Sequence, residues 1–241
     1  MINFLQNSTT RYNSMFAGCD EPNHFAYNLK LMPNDWHYRS KEIFYTSNNL
    51  GYRTIEFEHV HWERSIVIFG CSNVFGIGLA EDETLDYHLS KYLGHPVINL
   101  GAGGASMLYS LYNQMALHEV SNPLAVVNVW TNTDRLTVID GNNPINVNAG
   151  SNHDSFKKEL FNLWNLYPEN SVRFSLFLQQ MARLLWKDIP HIESTFFEST
   201  AIELGCELLQ QEDQGRDLMH PGPVTVKNAA ATIAARIEKL L

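Results

Sequence analysis

Paired cysteines, basic charge and long apolar runs are all scarce in this 241-residue chain. Its three cysteines, Cys19, Cys71 and Cys206, are too few and too widely spaced for a disulfide framework or a cysteine-based zinc site. The 17 Lys and Arg residues face 26 Asp and Glu residues, giving a net charge of −9. This balance disfavours a nucleic acid or an anionic membrane surface as partner, because both are bound through basic side chains.

Membrane and export signals are also missing from the sequence. No stretch approaches the roughly 20 apolar residues of a membrane span, and the first residues carry neither a basic segment nor an apolar signal core. We therefore expect a cytoplasmic protein with no membrane partner. Apolar residues make up 44% of the chain and charged residues 18%, which is a globular composition.

The chain divides into an irregular and a regular part. Residues 1–60 are rich in Asn, Tyr, Phe and His without sustained periodicity, and they predict an irregular N-terminal extension packed on a domain of residues 61–241. From residue 65, short apolar runs alternate with amphipathic helical stretches, which predicts a parallel sheet with helices on its faces. The polar segment 131–154 interrupts this alternation and is predicted to be a long loop.

Polar and glycine-rich segments follow each of the first three predicted strands. They read "GCSN" at 70–73, "NLGAGG" at 99–104 and "WTNTD" at 130–134, and "DLMH" follows near the C-terminus at 217–220. Because ligands bind at the carboxyl ends of parallel strands, we expect these segments to converge.

These residue types are the ones that acyl transfer requires. A serine hydroxyl such as Ser72 is a weak nucleophile until an imidazole takes its proton, and the imidazole needs a carboxylate to fix its tautomer. Asp217 and His220 can supply both. Donors for the oxyanion are available from the Ser72 N–H, a glycine N–H and the Asn132 amide.

The four segments, in this order, resemble the sequence blocks of the SGNH hydrolases, also called GDSL esterases/lipases. The resemblance implies Ser72 as nucleophile, Asp217 and His220 as the rest of the triad, and Gly104 and Asn132 as oxyanion donors beside the Ser72 amide. It also implies a three-layer α/β/α sandwich with a parallel, flavodoxin-like central sheet.

Three positions depart from the family pattern. Cys71 replaces the usual Asp before the serine, Trp130 replaces a small Gly, and Thr133 replaces the Asp after the asparagine. We expect the Trp130 indole to narrow the acyl pocket or to stack on a sugar ring. The candidates for the substrate pocket are Asn73, Gly103, Trp130, Asp134 and Met219.

The expected function is hydrolysis of short acyl esters, acetyl esters above all, with O-acetylated carbohydrate as the favoured substrate class and no cofactor or metal. Two alternatives remain open: an O-acyltransferase that uses the same triad, and a non-catalytic carbohydrate-binding protein that keeps the fold. The oligomeric state is not indicated by the sequence.

The nucleophile and its partners have local alternatives. Ser72 can simply cap a turn. Cys71 is an alternative candidate for the nucleophile in place of Ser72. However, alternation along the emerging strand turns neighbouring side chains to opposite sides. Asp134 is a rival carboxylate for His220, because triad partners are recognised in space and not by spacing.

Two further motifs suggest other classes of site. His59 and His61 share a face if they lie on a strand, but a metal site needs a third ligand. The glycine cluster at 101–104 nearly matches a dinucleotide-binding fingerprint, yet Ser106 occupies the third glycine position and no acidic residue closes the next strand. A nucleotide-dependent oxidoreductase is therefore the weaker interpretation.

Overall fold

A parallel sheet of five strands forms the centre of the protein. The computed structural model describes residues 2–9, 13–141, 143–150 and 154–241. The sheet order is β2-β1-β3-β6-β7, and every neighbouring pair is parallel. Its strands are β1 (Ile66–Gly70), β2 (Val97–Gly101), β3 (Ala125–Trp130), β6 (His191–Thr195) and β7 (Glu207–Leu208). Counting only these strands in chain order, the arrangement is 2-1-3-4-5, which is the flavodoxin-like order.

Eight α-helices lie in the described part of the chain. Several begin where the sequence signals a start: Ser106 caps α4, Asp154 caps α5, and Pro223 occupies the first turn of α8. The helices are α1 (Pro22–Leu31), α2 (Ser72–Phe75), α3 (Leu85–Leu93), α4 (Met107–His118), α5 (Ser155–Trp164), α6 (Pro168–Leu185), α7 (Glu198–Leu204) and α8 (Pro223–Ile237).

Helices cover both faces of the sheet, because strand residues alternate between two cores. Ile68 and Val127 belong to the core shared with α3 and α8. Val67 and Phe69 belong to a second core, shared with α4 and the start of the chain. The three-layer α/β/α architecture is thereby confirmed.

The polar segment 131–154, predicted to be a loop, contains an antiparallel hairpin. Strand β4 (Leu136–Asp140) pairs with β5 (Asn143–Val147), and Thr137 lies opposite Asn146. Most of its side chains are only partly buried, so the apolar alternation that reveals a strand in a sequence is weak here.

The predicted extension, residues 1–60, packs against the regular layers. Residues 1 and 10–12 lie outside the described residues. The rest includes helix α1 and two short 3-10 turns, which the composition does not predict. Phe4, Leu5 and Tyr52 are buried in the core beside β1 and β2.

Within the described ranges, none of the helices combines the length and apolar character needed to cross a bilayer.

Candidate active site

Ser72 begins a four-residue helix directly after strand β1. Helix α2 lies close against the sheet edge: a Cβ on Gly101 would stand 2.4 Å from the Phe75 nitrogen, so glycine is required there. Ser72 is 7% exposed, and its hydroxyl has no hydrogen-bond partner among the described residues. A hydroxyl in this position is available to a molecule in the neighbouring cavity.

Asp217 and His220 form a close pair on the loop before α8. The distance from His220 Nδ1 to Asp217 Oδ2 is 2.5 Å, while Asp217 Oδ1 accepts hydrogen bonds from the backbone N–H groups of Met219 and His220, both at 3.2 Å. Leu218 adopts a left-handed conformation (φ 56°) that closes this tight loop.

The electrostatics of the pair favour an ionised carboxylate. Burial raises the pKa of Asp217, but the hydrogen bonds and charge of His220, together with the backbone donors, outweigh burial and hold the pKa below its ordinary value. The other ring nitrogen of His220 has no described partner, which leaves it able to accept a proton.

One cavity of about 780 Å³ brings the separate segments together. It lies at the carboxyl ends of β1 and β3, where the strand order reverses. Of the residues predicted from the sequence, its lining includes Ser72, Asn73, Gly103, Gly104, Asn132, Asp134, Met219 and His220. Asp217 lies behind His220 with a fully buried side chain.

Three hydrogen-bond donors in this lining have no partner among the described residues. They are the backbone N–H groups of Ser72 and Gly104 and the side-chain amide of Asn132. Gly104 adopts φ +68°, a conformation that favours glycine, and a Cβ there would stand 2.8 Å from the Asn148 amide nitrogen. Stabilisation of a developing oxyanion requires several such donors at one cavity.

Trp130 corrects the expectation of an aromatic pocket wall. It is 2% exposed, packs with Leu178 and Ala182 of α6, and does not belong to the cavity lining. Its indole N–H donates to Glu193 Oε1 at 3.2 Å. Alternation along β3 turns Trp130 into the α4–α6 layer, so the indole offers no face to a substrate.

The alternative nucleophile and the alternative carboxylate are placed differently from Ser72 and Asp217. Cys71 is 1% exposed and packs in the core with Val67 and Phe69. Asp134 lines the cavity, but its side chain makes no hydrogen bond to His220; burial raises its pKa. Neither geometry favours the alternative roles.

Thr133, which stands where the family pattern has Asp, bonds to a neighbouring helix. Its hydroxyl donates to Glu203 Oε2 at 2.7 Å, and the Thr131 carbonyl accepts from the Thr200 hydroxyl at 3.4 Å. The loop that carries Asn132 is therefore tied to α7.

Sequence reasoning missed the part of the cavity wall that the N-terminal segment and the hairpin supply. Thr9 Oγ1 accepts a hydrogen bond from the Gly103 N–H at 2.5 Å, and Asn146 Nδ2 donates to the Gly103 carbonyl at 3.1 Å. Cys19 lies beside Asp217 and His220. Contacts between residues so far apart along the chain leave no local pattern to find.

A group of three metal-ligating side chains occurs at this site among the described residues. The ligand atoms of Cys19, Asp217 and His220 lie within 4.8 Å of one another. The short hydrogen bond between His220 and Asp217 already occupies His220 Nδ1 and Asp217 Oδ2, so these two atoms are not open to a metal. His59 and His61 are exposed and lie at a 3-10 turn, not on a strand.

Comparison with protein-family models and with curated proteins finds no match. Among solved structures, the chain is similar to the acetyl xylan esterase Est2A from Butyrivibrio proteoclasticus (12% identity, TM-score 0.47, 75% of this chain and 65% of that one). It is also similar to a carbohydrate esterase family 2 enzyme from Corynascus thermopiles (14% identity, TM-score 0.46, 73% of this chain and 66% of that one) and to Est24, a carbohydrate acetylesterase from Sinorhizobium meliloti (12%, 0.46, 74% and 100%).

The chain spans less than two thirds of the length of the first two of these proteins. At such low identities and TM-scores, the order of the central sheet, rather than these likenesses, defines the fold of this chain.

Proposed function

We propose that this protein is a serine esterase of the SGNH type that hydrolyses short acyl esters. The observation that carries the proposal is the meeting, at one cavity, of the unpartnered Ser72 hydroxyl, the His220–Asp217 pair and three unpartnered donors. Nucleophilic acyl transfer requires these three components together.

The reaction follows from the roles of these groups. Ser72 Oγ attacks the ester carbonyl while the free ring nitrogen of His220 takes its proton, and Asp217 holds the imidazole in the tautomer that accepts it. The oxyanion receives hydrogen bonds from the N–H groups of Ser72 and Gly104 and from the Asn132 amide. His220 then protonates the departing alcohol, and water releases the acid by the same steps.

The cavity lining favours a polar alcohol over a long acyl chain. Asn73 and Asn132 both contribute to it, and side-chain amides are suited to hydroxyl groups, whereas the Asn146 amide is already bonded to Thr137 and Gly103. This polarity supports an acetylated carbohydrate as substrate class. A screen of esters from acetyl to decanoyl, together with acetylated glycans, tests the class; a preference for decanoyl esters would contradict it.

The decisive test of the reaction is the Ser72→Ala variant. We expect it to lose both p-nitrophenyl acetate hydrolysis and labelling by a fluorophosphonate, because the reacting oxygen is gone. Cys71→Ala is the matched control and is expected to keep both. A Ser72→Ala protein that is folded by circular dichroism and still active would overturn the assignment.

Product analysis separates hydrolysis from transfer. With a sugar acceptor in excess, a hydrolase releases the free acid, whereas an acyltransferase yields the acylated sugar. A protein that binds acetylated glycans but is not labelled by the fluorophosphonate would be the non-catalytic alternative.

A further inference from the structure

A tight turn of the N-terminal segment stands beside the acid–base pair. Ala17 and Asp20 exchange two backbone hydrogen bonds of 3.0 Å, which leaves Gly18 and Cys19 at the tip. Both tip residues line the cavity. We call residues 17–20 the brace turn.

A buried ion pair fixes the brace turn to the loop before α8. Arg216, the residue before Asp217, contacts both carboxylate oxygens of Asp20, with Nη2 at 2.8 Å from Oδ2 and Nε at 3.0 Å from Oδ1. The two side chains are 2% and 0% exposed. The Tyr45 hydroxyl also donates to Asp20, so the carboxylate is well satisfied.

This anchoring places the Cys19 sulfur on the carboxylate of Asp217. Sγ lies 3.3 Å from Asp217 Oδ2 and 3.7 Å from His220 Nδ1. Burial, followed by the charge of Asp217, raises the pKa of the thiol to about 12, so the sulfur carries its proton at neutral pH. The thiol therefore donates to the oxygen that also accepts from His220.

We propose that Cys19 is a positioning residue, whose thiol holds Asp217 Oδ2 in place and weakens its pull on the imidazole proton. The inference rests on the proposed function, because it assigns Cys19 a role in the same acid–base pair. A donor to the carboxylate spreads its negative charge, which makes the protonated form of His220 less favourable. The N-terminal segment then contributes to the chemistry as well as to the packing.

The kinetic test compares Cys19→Ala with Cys19→Ser. For the Ala variant we expect kcat to fall about three- to tenfold with little change in KM, and the acid limb of the kcat/KM profile to move to higher pH. The Ser variant keeps an O–H donor and is expected to restore the position of the limb. Cys206→Ser, which removes a thiol far from the cavity, is the control for cysteine loss. An acid limb unchanged in Cys19→Ala would overturn the proposal.

A second measurement does not depend on esterase activity. In a Cys206→Ser background, with Cys71 buried, iodoacetamide at pH 9 reports on Cys19. We expect alkylation to be on the order of a hundredfold slower than for a free thiol, since only the thiolate reacts. Adding Asp217→Asn is expected to speed it several-fold. Equal rates with and without Asp217→Asn would overturn the contact, whereas faster alkylation in a protein without esterase activity would retain the contact and reject the proposed function.

Discussion

The described residues of the N-terminal segment, 2–9 and 13–60, and the regular layers from residue 66 are held in place by different kinds of contact. In the regular layers, neighbouring strands are joined by continuous backbone ladders, and apolar side chains alternate between two cores. The N-terminal segment also buries apolar side chains, but its polar contacts with the layers are single side-chain hydrogen bonds and one ion pair to distant partners. Asn7 Nδ2 donates to the Gly101 carbonyl at 3.0 Å, and the Leu5 N–H donates to Asn113 Oδ1 at 2.9 Å.

The two regions contribute differently to the candidate site. The regular layers carry the groups that we propose to react, namely Ser72, Asn132 and His220. The N-terminal segment carries the groups that hold them, through Thr9 at the glycine loop and Asp20 at the loop before α8. Variants can therefore remove the chemistry or the support separately.

The largest effect is expected from breaking the support at Arg216. Arg216→Met leaves the Asp20 carboxylate buried without its cation, and we expect the free energy of unfolding to fall by about 3–5 kcal/mol. Urea denaturation measures this loss. Lys41→Met is the matched control, because its ion pair with Asp82 is partly exposed and is expected to contribute less than about 1 kcal/mol. Equal losses in the two variants would show that the N-terminal segment is not anchored through Arg216.

The next largest effect is expected from Asn132, which belongs to the regular layers. Asn132→Ala removes a proposed oxyanion donor, so we expect kcat to fall about 10²- to 10³-fold, or roughly 2.7–4 kcal/mol in the barrier, with little loss of stability. Hydrolysis of p-nitrophenyl acetate measures it. Asn228→Ala on the exposed face of α8 is the control and should retain full activity. A drop in Tm that accounts for the lost activity would instead assign Asn132 a structural role.

The same division explains what could be predicted from the sequence. The parallel sheet was predictable, and its prediction is confirmed, because apolar periodicity is a local signal. Ser72 and Asn132 were predictable because the carboxyl ends of parallel strands share one edge of the sheet, and His220 because its spacing from Asp217 resembles a motif of the SGNH hydrolases. The roles of all three stay predictions. Trp130 was misplaced, because the residues of helix α6 that cover its side chain lie some 50 residues further along the chain.

Two other features could not have been read from local patterns. The β4–β5 hairpin lies in a segment rich in Asn and Gly, and most of its side chains are only partly buried, so its residues resemble a loop. Cys19 meets Asp217 across a separation of 198 residues, and contacts of Arg216 with Asp20, Met15 and Asn28 bring the two segments together. Such contacts depend on complete tertiary packing, which a single sequence does not display.

The smallest predicted effect lies within the regular layers and concerns His191, a half-buried histidine outside the lining of the candidate site. His191 begins β6, and its Nε2 lies 2.7 Å from Asn128 Nδ2, which donates to the neutral ring. Burial lowers the pKa of His191, so the unfolded chain takes up the proton first as the pH falls. This contribution to stability is therefore present above the ordinary histidine pKa of about 6.5 and is lost on acidification below it. His191→Gln keeps an acceptor for Asn128 but does not titrate, so its free energy of unfolding should fall less between pH 7.5 and pH 5, by up to about 1 kcal/mol relative to the wild type. Urea denaturation at the two pH values measures the difference. An equal fall in the free energy of unfolding for the variant and the wild type would show that the folded protein accommodates the protonated His191 ring.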